Sequence, residues 1–181
     1  MFLQRVFLQR VAMSLLAVLI PVAAGEAATE LRPVVVLSGS GSGVGNAECL
    51  RVTSQAEWEP IWKRHAARQG KLEHGLEAQQ TPVVDFTNCM VIAVFGGSTW
   101  NTDGLKVLSA SDNGDEIVIR MNWLTYQTPE KGDKATPFAF IVMPRSPKPF
   151  VLQVNARSKT ERAEGLAPKW KDYHRFAGLT K

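Results

Sequence analysis

The side chains able to do acid–base, nucleophilic or metal chemistry are few in this chain, and they are scattered. Its three histidines are His65, His74 and His174. None stands at a ligand spacing: His74-Gly75-Leu76-Glu77 is not the helical His-Glu-x-x-His arrangement, in which imidazoles one turn apart share a metal. Gly75 argues for a loop, so His74 between Glu73 and Glu77 reads as a solvated side chain. A copper site through Cys89-Met90 needs a histidine at matching spacing, and no spacing supplies one. Carboxylates recur in turns, at Asp112, Asp115, Glu116, Glu161 and Glu164. Two acids brought together could share acid and base roles, but the sequence selects no pair. Asp85, between Val84 and Phe86, is expected to accept hydrogen bonds from neighbouring backbone N–H groups and fix the start of a buried strand. No serine sits in Gly-x-Ser-x-Gly, the nucleophile elbow. Residues 38–46, Ser-Gly-Ser-Gly-Ser-Gly-Val-Gly-Asn, lack the Gly-Lys-Ser/Thr ending of a phosphate-binding loop and the dinucleotide spacing, and read by composition as a flexible linker. No catalytic residue, metal ligand or cofactor is assigned.

Two other features carry chemistry. Cys49 and Cys89 are the only cysteines. In an exported chain they form a candidate disulfide around the main helix, contributing ~2–4 kcal/mol if the strands bring their Cα atoms within reach. Two buried thiols are the alternative. The second feature is a pair of turn-rich loops, residues 97–104 with Trp100 and Asn101, and residues 126–130 with Tyr126 and Gln127. Loops on a rigid scaffold are where binding residues sit, and aromatic rings there serve as anchors. The competing reading is that both rings fold back over the open end of the protein's own sheet.

The elements that position these residues are mostly strands. Met90 to Phe95 is an unbroken apolar run closed by Gly96-Gly97, which predicts a strand covered on both faces. Leu105 and Val107 begin another, Asp112-Asn113-Gly114-Asp115 supplies hairpin-turn chemistry, and Ile117, Ile119, Met121 and Trp123 share one face of the strand that follows. Phe138 to Met143 and Phe150 to Val154 read as two more, Leu31 to Leu37 as a first strand and Cys49 to Val52 as a short one. One helix is expected from about Gln55 to Arg68. Ser54-Gln55-Ala56-Glu57 has the Ser-x-x-Glu form of a capping box, and Trp58, Ile61, Trp62 and His65 recur at helical spacing. Pro60 either kinks that helix or sets its start near Ala56. Trp170, Tyr173, His174 and Ala177 suggest a short C-terminal helix. Strands following strands at hairpin distance give an α+β domain: an antiparallel sheet, curling toward a barrel, with one main helix packed on it.

The N-terminus carries Arg5 and Arg10, an apolar run from Val11 to Ile20 and then small residues, the pattern of a secretory signal peptide over residues 1–27. The apolar run falls short of the ~20 residues of a spanning helix. Residues 28–46 then form a first strand and linker, 47–156 the α+β domain, and 157–181 a polar extension. The formal charge of +4 is dispersed among acids, a poor footprint for nucleic acid. The chain is expected in the periplasm or outside the cell, without a membrane span after cleavage.

Several short motifs recur in order: Trp58 with Ile61-Trp62, Pro82 to Phe86, Met90 to Gly97, Thr102-Asp103-Gly104-Leu105, Tyr126 to Pro129, and Thr136 to Arg145. Together, over roughly Val52 to Arg145, they resemble the PrcB-type protease-complex subunit family. That resemblance implies a non-catalytic accessory module that binds another exported protein, with a protease as the partner. Two further readings stand beside it: a hydrolase or metal-dependent enzyme built from separated acids and histidines, and a small-ligand or glycan-binding domain using Trp100.

Overall fold

A computed structural model of the chain describes residues 28–67 and 80–180. The expected signal peptide and His74 lie outside these residues. In chain order the described elements are β1 (Thr29–Leu31), β2 (Val35–Gly39), β3 (Ala47–Val52), α1 (Gln55–Ala66), β4 (Cys89–Gly96), β5 (Thr99–Trp100), β6 (Thr102–Asp112), β7 (Ile117–Thr125), β8 (Lys134–Ala135), β9 (Phe138–Pro144), β10 (Phe150–Asn155), α2 (Lys159–Ala163) and β11 (Trp170–Phe176). Strand-rich with one main helix, the protein is α+β.

Alternation along β4 builds the core in two halves. Met90, Ile92 and Val94 point to one side, where they meet Ile141 and Met143 of β9 and Leu105, Ile119, Met121, Phe150 and Leu152 of a second sheet. Val91, Ala93 and Phe95 point to the other, against Trp58, Ile61 and Trp62 of α1. All six β4 side chains are fully buried, so the strand is covered on both faces. The result is three layers: a five-stranded sheet in the order β1-β6-β7-β10-β11, a four-stranded sheet in the order β2-β9-β4-β3, and α1 on the outer face of the latter. Among the described residues both sheets keep two edges and no barrel closes. Nor is the five-stranded sheet purely antiparallel: β10 runs parallel to β7, with Phe150 opposite Ile117 and Leu152 opposite Ile119. Such a parallel pair requires a crossover, here the excursion through β8 and β9 into the other sheet.

Ser54 caps α1, its Oγ accepting from the Glu57 N–H at 3.3 Å, while the Glu57 carboxylate reaches back to the Thr53 N–H at 2.7 Å. The helix starts at Gln55 and continues through Pro60 to Ala66. Trp58 and Trp62 are core, as their spacing predicts, and Trp58 stands edge-on to Phe140 at 4.9 Å. The Trp58 indole donates to the Pro82 carbonyl at 3.0 Å, which ties the segment leading into β4 onto the helix.

Three expectations fail for reasons of partnership. First, the predicted strand from Leu31 to Leu37 is two strands divided at Pro33, β1 pairing with β6 in one sheet and β2 with β9 in the other. Second, the Gly/Ser-rich stretch is not a free linker. Thr136 brackets it, its N–H donating to the Ser40 carbonyl at 2.8 Å and its hydroxyl to the Ser42 carbonyl at 2.6 Å, and the Gly43 N–H donates to the His65 carbonyl at 2.8 Å. Composition confers flexibility only where a chain finds no partners. Third, the aromatic spacing near the C-terminus belongs to strand β11. It pairs with β10, and an irregularity between Leu152 and Gln153 leaves Tyr173 without an opposite residue, which breaks the two-residue alternation and mimics helical spacing. The C-terminal segment is therefore part of the five-stranded sheet. The short helix is α2 instead, capped by Ser158 and Glu161, each side chain accepting the other's backbone N–H. Its Ser-x-x-Glu signature was present in the sequence.

Candidate functional site

The two loops singled out above converge on a small ribbon. β5 pairs with β8, setting Thr99 opposite Ala135 and Trp100 opposite Lys134. The loop is steered by Gly97, at φ +71°, where a Cβ would stand 2.8 Å from the Ala47 nitrogen. Asn101 follows at φ 51°, the one non-glycine residue with positive φ among the described residues. Asparagine tolerates that region, and its amide can satisfy nearby backbone.

Asn101 ties the surface together. Its N–H donates to the Asp133 carbonyl at 2.9 Å, and its Oδ1 accepts from the Asp133 N–H at 2.8 Å. Its carbonyl accepts from the Tyr126 N–H at 3.0 Å, and its Nδ2 donates to the Thr128 hydroxyl at 3.4 Å. Gly132 makes room for this, because a Cβ there would lie 2.5 Å from Asn101 Oδ1. Tyr126 donates its hydroxyl to the Asp133 carboxylate at 3.2 Å. Partial burial and then that carboxylate raise the Tyr126 phenol above its ordinary pKa.

Trp100 is left 46% exposed, its ring 5.7 Å from the Lys134 ammonium. Gln127 is exposed and Tyr126 half-buried. Trp100, Asn101 and Tyr126 thus share one fixed surface, with Gln127 directly after Tyr126. Asp133 and Lys134, which complete it, were not singled out from the sequence; Gly132-Asp133 was the turn signal that could have found them. The arrangement offers an aromatic face, amides and charges of both signs, which is recognition chemistry. Beside it, Thr99, Thr102, Trp123, Pro137 and Tyr173 line a cavity of about 190 Å³. That is smaller than the ~300–1,000 Å³ usual for enclosing a small molecule.

The remaining candidates stay apart. His65 is buried on the inner face of α1, and His174 lies on β11 beside Phe176 at 4.5 Å. Among the described residues no three His, Cys, Asp or Glu side chains come together. Asp112, Glu116 and Glu161 each pair with a cation, Lys148, Arg175 and Arg157. Asp85 accepts from Asn88 Nδ2 at 2.8 Å and the Thr87 N–H at 3.0 Å, the turn-fixing role expected of it, and these bonds lower its pKa. The proposed disulfide between Cys49 and Cys89 is not formed, and both thiols are free. The β3–β4 register sets Cys49 opposite Val94, five residues along β4 from Cys89. At ~3.3 Å per residue that is far beyond bridging distance. Burial first, and the Glu48 charge second, raise the Cys49 thiol to about 11.

Comparison of the chain with protein-family models, with curated proteins and with solved structures finds no match.

Proposed function

We propose that this chain is an exported, non-catalytic accessory module that binds another exported protein through the Trp100, Asn101, Tyr126 and Gln127 surface. One observation carries the reading: a half-exposed tryptophan is held on a ribbon whose backbone is locked by the four hydrogen bonds of Asn101. Large aromatic side chains dominate interface energies, and a surface already rigid before contact loses little entropy on binding. The order of motifs resembling the PrcB-type family supports a protease as the partner. The neighbouring cavity is too small to favour the ligand-binding reading over this one.

The test is retention of exported proteins on the immobilised full chain, read by quantitative mass spectrometry, with Trp100→Ala and Tyr126→Ala variants of unchanged unfolding midpoint. The expected result is one partner whose recovery falls about tenfold or more on either variant, the loss typical of an interface anchor. Equal recovery on all three proteins would remove this surface from the reading. A retained partner without protease activity would discard the protease role while leaving the surface in place.

A further inference from the structure

The opposite end of the β4–β9 pair carries a second arrangement. In that register Phe95 faces Phe138 near the Trp100 ribbon, whereas Cys89 faces Pro144 at the far end, ~20 Å away at the usual strand rise. There Asn88 and Arg145 extend past the strands, the Arg145 N–H donating to the Asn88 carbonyl at 2.7 Å.

Two guanidinium groups meet at this end, and they are used differently. Arg51 is internal. It donates through Nη1 to the Lys148 and Ala177 carbonyls, each at 3.1 Å, and through Nη2 to the Ser146 carbonyl, and it lies 4.9 Å from the centre of the Phe150 ring. Its task is to hold the turn after β9 and the C-terminal segment together. Arg145 is exposed and only half engaged. Its Nη1 donates to the Phe86 carbonyl at 2.6 Å and the Thr53 carbonyl at 3.0 Å, which fixes the plane of the group. Its Nε and Nη2 take no protein acceptor among the described residues, and neither arginine has a carboxylate within ion-pair distance there. The nearby cation Lys148 is already matched by Asp112 at 2.7 Å. Burial, and then the charge of Arg145, lower the Arg51 pKa, as expected for like charges held close without an intervening anion.

Arg145 forms part of the wall of a surface depression of about 460 Å³, completed by Thr87, Asn88, Ser146, Pro147, Leu179 and Thr180. The Leu179 N–H donates to the Pro147 carbonyl at 2.8 Å, so the C-terminal segment is a fixed wall. The chemistry is that of oxyanion recognition: a pre-oriented guanidinium with two donor nitrogens, Nε and Nη2, to spare, hydroxyl-bearing residues around it, and apolar Pro147 and Leu179 to take the carbon part of a larger molecule. We propose that this depression binds a carboxylate or phosphate group of a ligand, with Arg145 as the principal donor.

The test follows the side-chain Nε–H resonance of Arg145 in the ¹⁵N-labelled full chain as inorganic phosphate or acetate replaces chloride at constant ionic strength. A saturable shift in either titration is expected. Saturation by phosphate alone names a phosphorylated ligand, and saturation by acetate a carboxylate. Arg145→Gln should weaken affinity at least tenfold, read from backbone amides of Thr87 and Ser146. Because Arg145 also holds two carbonyls, Thr180→Val serves as the variant that keeps this pin, with a threefold or greater weakening expected. Trp100→Ala should bind the anion as wild type does, which separates this site from the protein-binding surface. Linear, unsaturable shifts in wild type with both anions, or unaltered saturation in folded Arg145→Gln, would overturn the proposal.

Discussion

His65 shows how one residue couples the fold to pH. It is 1% exposed, with its ring 4.1 Å from Phe138, 5.0 Å from Phe140 and 5.2 Å from Trp62, and its Nδ1 3.2 Å from the Ser42 hydroxyl. Desolvation favours the neutral ring and lowers its pKa from 6.5 to about 4. The unfolded chain therefore takes up a proton at this residue below pH 6.5, whereas the native protein does so only near pH 4. The stability lent by the neutral ring is fully present above pH 6.5 and lost as pH falls from there toward 4. The loss should be about 2 kcal/mol at pH 5, read as a fall in the urea midpoint between pH 7 and pH 5. His65→Gln keeps a polar partner for Ser42 without titrating, and its midpoint should change less over the same interval. Equal slopes for the two proteins would show that His65 is not held neutral.

At the scale of elements, α1 depends on its buried stripe more than on its own hydrogen bonds. Twelve residues with Pro60 among them make a marginal isolated helix. Trp58 and Trp62 bury large rings against β4 and β9, and the indoles lie 5.6 Å apart in a cluster with Phe140. Replacing either with Ala should cost about 3–5 kcal/mol in denaturant unfolding. A change below about 1 kcal/mol, the size of an ordinary surface substitution, would take that residue out of the core. The same logic explains why β11 is a strand: its edge position beside β10 satisfies the backbone that a lone C-terminal helix would have satisfied internally.

The whole molecule presents two separated ends on one packed pair of sheets. Side chains of both sheets share one buried cluster, which lies between the Trp100 ribbon and the Arg145 depression. Substitutions at sites farther apart than ~10 Å with no shared partner add. The double variant Trp100→Ala/Arg145→Gln should therefore lose partner retention as the first single variant does and affinity for the saturating anion as the second does. Calorimetric or NMR titration of the four proteins checks this. An anion affinity that changes on addition of the partner would instead reveal energetic coupling between the ends.

Patterns confined to a single segment could be read without the fold. β4 was legible from six consecutive apolar residues, the β6–β7 hairpin from Asp112-Asn113-Gly114-Asp115, and α1 from Ser54, Glu57 and the recurrence of Trp58, Ile61, Trp62 and His65, because these patterns act within a few residues of one another. It also marked Trp100 and Tyr126 as loop aromatics. Which segments pair, and in which register, was decided by the tertiary structure alone. That choice made β10 a parallel neighbour of β7, set Cys49 opposite Val94 and away from Cys89, packed the Gly/Ser stretch under Thr136, and turned the aromatic spacing of β11 into an edge strand. It brought Asn101 to Asp133 across 32 residues and Arg145 to the carbonyls of Thr53 and Phe86 across 92 and 59. Contacts of that separation leave no periodic trace in a chain, since each depends on the burial of surfaces contributed by several strands at once.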